Sequence, residues 1–525
     1  MNKTRKLFLT FVLSIAWTIG LRVVGNSIER YAPSSSNDKE ICTPAPLKSP
    51  RINGPLVYGC RPGNPLLYRI PCQGERPIRF SAKGLPSGLK LDAETGIVTG
   101  TAPAKGEYQV VFHATNAKGK SKRSFKIVAG EELSLTPPMG WNSWYVHYNR
   151  IDDKTMRQAA DAMISSGMAD VGYQYVNIDD CWMNAEKTLK YMQDTTRVGP
   201  LRDSAGEILP NIHFPDMKGM TDYIHAKGLK TGIYTSPGPN TCCGLAGSYG
   251  HEEQDAARFA AWGFDFLKYD WCSYSRIAGK EPSLEAMQKP YLLMGDALKK
   301  QPRDIIYNLC QYGMGNVWEW GTKVGGHCWR TAGDLGFELD RFFAVALKNA
   351  EHGAYSKPGS WNDPDYLQIG MFGSQIGSTF TLPQPCKLTA DEQYSYMSLW
   401  CLMAAPLIFS GDMSKLDDFT LNILCNPEVI EIDQDPLGKC GKVVMLPNDC
   451  FLMIKELADG SKAVGLFNHG KTATEITADW NALQLSGKQT VRDLWRQKEL
   501  GKFNEKYSAL VPVQGVVMLK ITNLK

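Results

Sequence analysis

The stretch Phe264-Asp265-Phe266-Leu267-Lys268-Tyr269-Asp270-Trp271-Cys272 decides how this chain is read. It is a short apolar run closed by an aspartate, the form of a buried strand with a carboxylate at its downstream end. A second stretch, Cys328-Trp329-Arg330-Thr331-Ala332-Gly333-Asp334, repeats the arrangement. Each acid has a cation nearby: Lys268 precedes Asp270 by two residues, which puts both side chains on one side of a strand, and Arg330 precedes Asp334. Two carboxylates delivered by different strands are what a retaining glycosidase needs, one to attack and one to move a proton. An aspartate after a strand is also an ordinary turn or cap residue. The chemical reading therefore rests on the surroundings.

Outward from residues 264–272, a βα rhythm runs over 131–436. A helix is expected over 152–167, with Ala159, Ala160, Met163 and Ile164 on one face and Gly167 as its stop. A strand over 173–178 ends in Asp179-Asp180. Helices over 220–227, 253–261 and 284–300 precede strands over 230–234, 264–269 and 305–310. Another helix covers 337–352, and a last strand lies near 406–409. With the opening segment 139–144 this makes about eight units, which suits a (β/α)8 TIM barrel. In such a barrel the catalytic side chains sit at the C-terminal strand ends. Here those ends carry Trp144, Asp179, Asp180, Tyr234, Asp270, Gln311, Arg330 to Asp334, and Asp363 with Asp365. An open doubly wound sheet would show an early glycine-rich phosphate turn, and the chain has neither that nor a P-loop.

The flanks have other rhythms. Residues 52–130 read as short alternating strands, an N-terminal immunoglobulin-like β-sandwich resembling the modules that precede secreted bacterial carbohydrate enzymes. Residues 437–525 return to alternating strands and read as a C-terminal antiparallel β-sandwich domain. Residues 26–51 are a Pro- and Ser-rich linker. Residues 1–25 have a basic start, an apolar run and Arg22 to close it, the shape of a signal peptide. Export to a periplasmic or extracellular space is expected, with an uncleaved N-terminal membrane anchor as the minority reading. The formal charge of the whole chain is +4, and residues 1–25 contribute Lys3, Arg5, Lys6 and Arg22 without an acid. The remainder is neutral, which gives no electrostatic reason to expect nucleic acid or an anionic membrane as partner. Fourteen cysteines in an exported chain make disulfides plausible. Zinc-type spacing is absent, so neither a metal nor a cofactor is expected.

Charge logic divides the two acids. The Lys268 ammonium favours an ionised, nucleophilic Asp270. A general acid must hold its proton, so Asp334 is expected protonated and Arg330 is assigned to substrate hydroxyls rather than to Asp334. The adjacent Asp179 and Asp180 lack further ligands at metal spacing and suit the hydroxyls of a sugar, with Trp144 and Trp182 nearby in barrel order.

Several blocks together resemble glycoside hydrolase family 27, which contains α-galactosidases and α-N-acetylgalactosaminidases. They are Thr136-Pro-Pro-Met-Gly-Trp-Asn-Ser-Trp144, Asn177-Ile-Asp-Asp-Cys-Trp182, Lys268-Tyr-Asp-Trp-Cys272, Trp329-Arg-Thr-Ala-Gly-Asp334, Trp361-Asn-Asp-Pro-Asp365, Leu402-Met-Ala-Ala-Pro-Leu-Ile-Phe-Ser410 and Ile432-Asp-Gln-Asp-Pro-Leu-Gly438. The resemblance implies Asp270 as nucleophile and Asp334 as acid/base. It implies Trp144, Asp179, Asp180, Tyr234, Lys268, Arg330 and Asp365 around a galactose, and disulfides Cys242–Cys272 and Cys310–Cys328. Cys181 matches a family cysteine whose usual partner is missing, which leaves its pairing open. Cys310-Gln311-Tyr312-Gly313 departs from the Cys-Glu-Trp of many family α-galactosidases, in a loop that contacts the sugar's 2-position. Gln311 can donate as well as accept there. The expected function is a retaining exo-α-galactosidase acting on oligosaccharides, polysaccharides or glycoconjugates. The alternatives are an α-N-acetylgalactosaminidase, a β-L-arabinopyranosidase and a non-catalytic glycan-binding protein.

Overall fold

The computed structural model describes residues 40–523 apart from 189–193, 337–340, 374, 377 and 378. The signal peptide expected over 1–25 lies outside the described residues, as does the first part of the linker. No helix among the described residues is long and apolar enough to cross a membrane.

Eight parallel strands form one sheet in chain order: β1 (Met139–Asn142), β2 (Tyr175–Asn177), β3 (Lys230–Thr235), β4 (Phe266–Asp270), β5 (Ile306–Cys310), β6 (Cys328–Arg330), β7 (Trp361–Asp363) and β8 (Leu407–Phe409), with β8 paired to β1. The sheet curls until Leu367, just past β7, meets β8: its N–H donates to the Ile408 carbonyl at 2.8 Å and its carbonyl accepts from Ser410 at 2.9 Å. The strands are buried along their length, as expected when helices cover a parallel sheet. The pairings Asn142 with Asn177, Tyr234 with Lys268, Asp270 with Cys310 and Arg330 with Asp363 bring the downstream ends to one rim.

The outer helices are α1 (Asp153–Ser165), α2 (Met217–His225), α3 (Glu252–Trp262), α4 (Leu284–Lys299), α5 (Phe342–Glu351) and α6 (Ala390–Met403). Local chemistry sets their ends. Asp152 caps α1 by accepting from the Thr155 N–H, and Thr389 with Glu392 makes a capping box on α6. Gly167, at φ +84°, turns the chain after α1. The helix expected over 337–352 is seen from Phe342 to Glu351, its first residues falling within the undescribed 337–340. Helix α6 is buried nearly all round, as a helix covered on its outer face must be. The cover is the C-terminal sheet, where Lys455 donates to the Cys401 carbonyl at 3.1 Å and Trp495 to Ser398 at 2.9 Å.

That C-terminal unit is a six-stranded antiparallel sheet with a two-stranded companion, Thr474–Asp479 and Lys506–Val511. Its core between the layers includes Leu452, Val464, Ile476, Trp480 and Leu519. The companion strands and Lys498–Phe503 carry lysine and glutamate at exposed positions. The N-terminal unit packs a four-stranded against a three-stranded sheet around Tyr68, Phe80, Phe112 and Phe125. It sits at the upstream end of the barrel strands. Arg61 pairs with Asp304 at 2.9 Å just before β5, and Lys230 at the start of β3 donates to the Tyr58 hydroxyl. This module therefore lies at the end of the barrel opposite the rim that carries the acids.

Candidate active site

At the downstream rim β4 ends in Asp270, only 5% exposed. Its Oδ1 accepts from the Tyr312 hydroxyl at 2.5 Å and the Trp271 N–H at 2.7 Å, and its Oδ2 accepts from the Tyr234 hydroxyl at 3.1 Å. Burial pushes the carboxyl above its ordinary range. The Lys268 ammonium and the Tyr312 hydrogen bond pull the other way, and the charge of Asp334 adds to the rise. The expectation of an acid held ionised by Lys268 is thus met only in part: Lys268 does act on Asp270, but desolvation outweighs it.

Lys268 makes its own ion pair with Asp179, at 2.8 Å, and both side chains are buried. Burial works against the ammonium, yet Asp179 together with Tyr366, Cys310 and Asp270 overcomes it and holds the Lys268 pKa well above its ordinary value. The Lys268 nitrogen lies 5.2 and 5.1 Å from the Tyr234 and Tyr366 ring centroids. Removing one partner of such a pair strands the other without solvent. Asp179→Ala is therefore expected to lower unfolding free energy in urea by about 3–5 kcal/mol, with the added change Lys268→Met restoring much of it.

Asp180 accepts from the backbone N–H groups of Cys181 at 2.7 Å and Cys243 at 2.9 Å. Burial nevertheless raises its pKa to about 6. Asp365 accepts from the Tyr145 hydroxyl at 2.9 Å and the Leu335 N–H at 2.8 Å, and burial pushes it up against the pull of Arg330. Arg330 bridges two acids, 3.1 Å from Asp334 and 3.1 Å from Asp365. This corrects its assignment to substrate hydroxyls alone: Asp334 stands four residues on, in reach of one guanidinium arm. The Arg330 Nε, buried, has no partner among the described residues. Asp334 itself is 52% exposed at the side chain, the open member of the set.

Gln311 is 1% exposed. Its Nε2 donates to the Met314 carbonyl at 2.9 Å, while its Oε1 has no partner among the described residues. The amide therefore keeps an unused acceptor beside one N–H of Nε2 that Met314 does not take. Trp144 opens a short helix after β1, half-buried, its N–H donating to Asn142 at 2.8 Å. Trp182 is fully buried, donates to the Tyr234 carbonyl and packs edge-on against Phe259 and Trp262, so it belongs to the core and not to a sugar platform. Tyr145, Tyr366 and Tyr312 are additional groups at the acids. Each is next to a residue singled out from the sequence, but tyrosine beside a strand end carries no signal of its own.

Cys242 and Cys272 are joined in a disulfide, each sulfur 3.9 Å from the Tyr312 hydroxyl. Cys310 and Cys328 are not joined, which corrects the second pairing. They stand on β5 and β6, but Cys328 pairs with Asn308, two residues before Cys310. Such a diagonal exceeds what a disulfide spans. The Cys328 sulfur instead accepts from Asn308 at 3.1 Å. Cys181 lies against Cys243, their sulfurs and an Asp180 oxygen all within 4.8 Å. A second such group is Cys242, Asp270 and Cys272, in which both sulfurs are tied up in the disulfide. Burial raises the Cys181 thiol, and a hydrogen bond donated to Cys181 together with burial raises that of Cys243. Both changes oppose the thiolate form a metal requires.

A family model described as alpha galactosidase A matches residues 136–435, and one for the alpha galactosidase C-terminal beta sandwich domain matches 448–521. An Ig-domain model matches 60–130. The chain is 36% identical over 413 residues to an alpha-galactosidase of Cyamopsis tetragonoloba, covering 78% of this chain and 91% of that one. Alpha-galactosidase I of Mortierella vinacea superposes with a TM-score of 0.65 at 31% identity, over 75% of this chain and 98% of that one. A Bacteroides fragilis protein proposed to be an alpha-galactosidase superposes with a TM-score of 0.81 at 34% identity, over 91% of this chain and 99% of that one.

Proposed function

The chain belongs to glycoside hydrolase family 27, and on that premise we propose that Asp270 and Asp334 run a double displacement on terminal α-linked galactose. The protein is a retaining exo-α-galactosidase. The observation that carries the residue assignment is the asymmetry of the two acids. Asp270 is buried and held by three donors at a strand end, as an attacking group must be held. Asp334 is open and on a loop, where a leaving group and a water have access.

In the first step an Asp270 oxygen attacks the anomeric carbon while Asp334 protonates the departing glycosidic oxygen. In the second, Asp334 takes a proton from water as that water opens the glycosyl ester, with net retention. Asp179, Asp180, Lys268, Tyr234, Arg330, Asp365 and Trp144 would hold the sugar, the ionised groups through charge-assisted hydrogen bonds. The unpartnered Oε1 of Gln311 would accept from the group at the sugar's 2-position, a hydroxyl on the α-galactosidase reading. Hydrolysis of nitrophenyl α-galactoside against its N-acetyl analogue tests this directly. A faster rate on the N-acetyl substrate would reverse the assignment.

Asp180 also makes galactose binding pH-dependent. Its carboxyl takes a proton as pH falls through about 6, which removes a charged acceptor for sugar hydroxyls. Galactose affinity by calorimetry is expected to weaken by up to about tenfold per pH unit below that point. We assign the chemistry to the 131–436 unit and read residues 1–25 as the export signal that carries it out of the cytoplasm.

A further inference from the structure

Tyr312 is unusual in both its backbone and its contacts. It follows β5 with φ +65°, in the left-handed region that aromatic residues seldom adopt. The turn is tight on its far side: at Gly313, φ +84°, a Cβ would meet the Thr331 carbonyl oxygen at 2.4 Å. Gln311 braces the same turn through Met314. The result aims the Tyr312 ring back across the rim, beside the Cys242–Cys272 disulfide, with its hydroxyl on Asp270 Oδ1. A strained turn that delivers one hydroxyl to one carboxylate oxygen points to function.

We propose that Tyr312 is a positioning residue that reserves Asp270 Oδ1 as the non-attacking oxygen and leaves Oδ2 to bond the anomeric carbon. The inference rests on reading Asp270 as the nucleophile. Oδ1 has two short bonds, from Tyr312 and Trp271, whereas among the described residues Oδ2 has only the 3.1 Å bond from Tyr234. When Oδ2 forms the glycosyl ester, Oδ1 becomes its carbonyl oxygen and keeps the Tyr312 bond. In the second step the C1–Oδ2 bond breaks, its electron pair returns to the carboxylate, and the proton of the attacking water goes to Asp334. Negative charge then builds on both carboxylate oxygens, and a donor fixed on Oδ1 stabilises it. Tyr312 therefore serves release from the enzyme more than attack on the substrate.

The groups facing Asp270 are Lys268 on its own strand, Tyr234 from β3, Cys310 and Tyr312 from and beyond β5, and Asp334 beyond β6, with the Tyr291 hydroxyl of α4 on its main-chain carbonyl. Of these, Tyr312 makes the shortest bond to the carboxylate. Its loss removes a donor that favours the charged form, so the acid limb of kcat/KM should move to higher pH.

The full-length Tyr312→Phe protein is compared with the parent on dinitrophenyl and nitrophenyl α-galactosides across pH. A hydrogen bond to a charged group is worth about ten- to a hundredfold in rate. On the dinitrophenyl substrate kcat should fall by about that factor, KM should fall with it as glycosyl-enzyme accumulates, and the acid limb should rise by about one pH unit. Uniform loss at every pH with the limb in place would mean a packing role and overturn the proposal. Replacing Tyr312 by the more acidic fluorotyrosine preserves the shape of the ring and should move the limb the opposite way; no movement also overturns it. Trapping with a fluorinated galactosyl fluoride separates the premise from the inference. Label on Asp270 with an unmoved limb sinks only the role of Tyr312, while label on another carboxylate sinks the nucleophile assignment beneath it.

Discussion

Asp270→Ala is expected to lower kcat on nitrophenyl α-galactoside by about 10⁴-fold or more, because no other group can form the covalent intermediate. The change also opens a space beside the anomeric carbon. Azide can enter it and attack once, giving the β-galactosyl azide from an α-galactoside. The fold should survive. Asp270 is buried and its carboxyl is pushed up by desolvation, so its charge costs stability in the folded state. Asp270→Asn, whose Oδ1 still accepts from Tyr312 and Trp271 while its NH2 can donate to the Tyr234 oxygen, is expected to melt at or above the temperature of the parent while losing comparable activity. Activity within tenfold of the parent in Asp270→Ala would remove Asp270 from the mechanism. Melting well below the parent in Asp270→Asn would mean that the carboxylate is structural.

The sequence made the strand ends legible, and what lies across them was not. Asp270, Asp179 and Asp365 could be placed on one rim because each closes or follows a short buried run in a repeated βα pattern. Residue parity also put Lys268 and Asp270 on one side of one strand. Which acid the ammonium then touches is a matter between strands. Tyr234 pairs with Lys268 in the barrel register, and the Asp179 carboxylate beyond β2 reaches the ammonium that Asp270 was expected to hold. The same blindness accounts for Cys310 and Cys328, whose adjacent strands are offset by two residues, and for Arg330, whose second arm goes to Asp365 just past β7. Trp182 shows the limit for aromatic residues. A tryptophan next to two site acids looks like a sugar platform, yet its ring turns outward into Phe259 and Trp262 between sheet and helix. Tyr312 stood out only as part of a departure from the family's Cys-Glu-Trp, and its reach to Asp270 comes from a left-handed turn that composition does not report.

Loss of Asp334 should depend on the leaving group in a way that loss of Asp270 does not. General acid catalysis is worth about 10²–10⁴-fold. An oligosaccharide leaving group needs that proton, so kcat/KM of Asp334→Ala on such a substrate should fall by about that range. Dinitrophenolate departs without one, so kcat/KM on the dinitrophenyl galactoside should stay close to that of the parent. The second step still needs a base to take the proton of water. The glycosyl-enzyme then accumulates, giving a burst of dinitrophenolate followed by slow turnover and a low KM. Azide needs no base, and it should restore kcat by attacking the galactosyl-Asp270 ester. Two inversions then yield the α-galactosyl azide, the opposite anomer from the Asp270→Ala rescue. The removal of Asp334 also frees Arg330 to bind Asp365 alone, and since Asp334 is the exposed member of that set the change should leave stability within about 1 kcal/mol of the parent. Equal loss on both substrates, or β-azide from Asp334→Ala, would exchange or dissolve the roles given to the two acids.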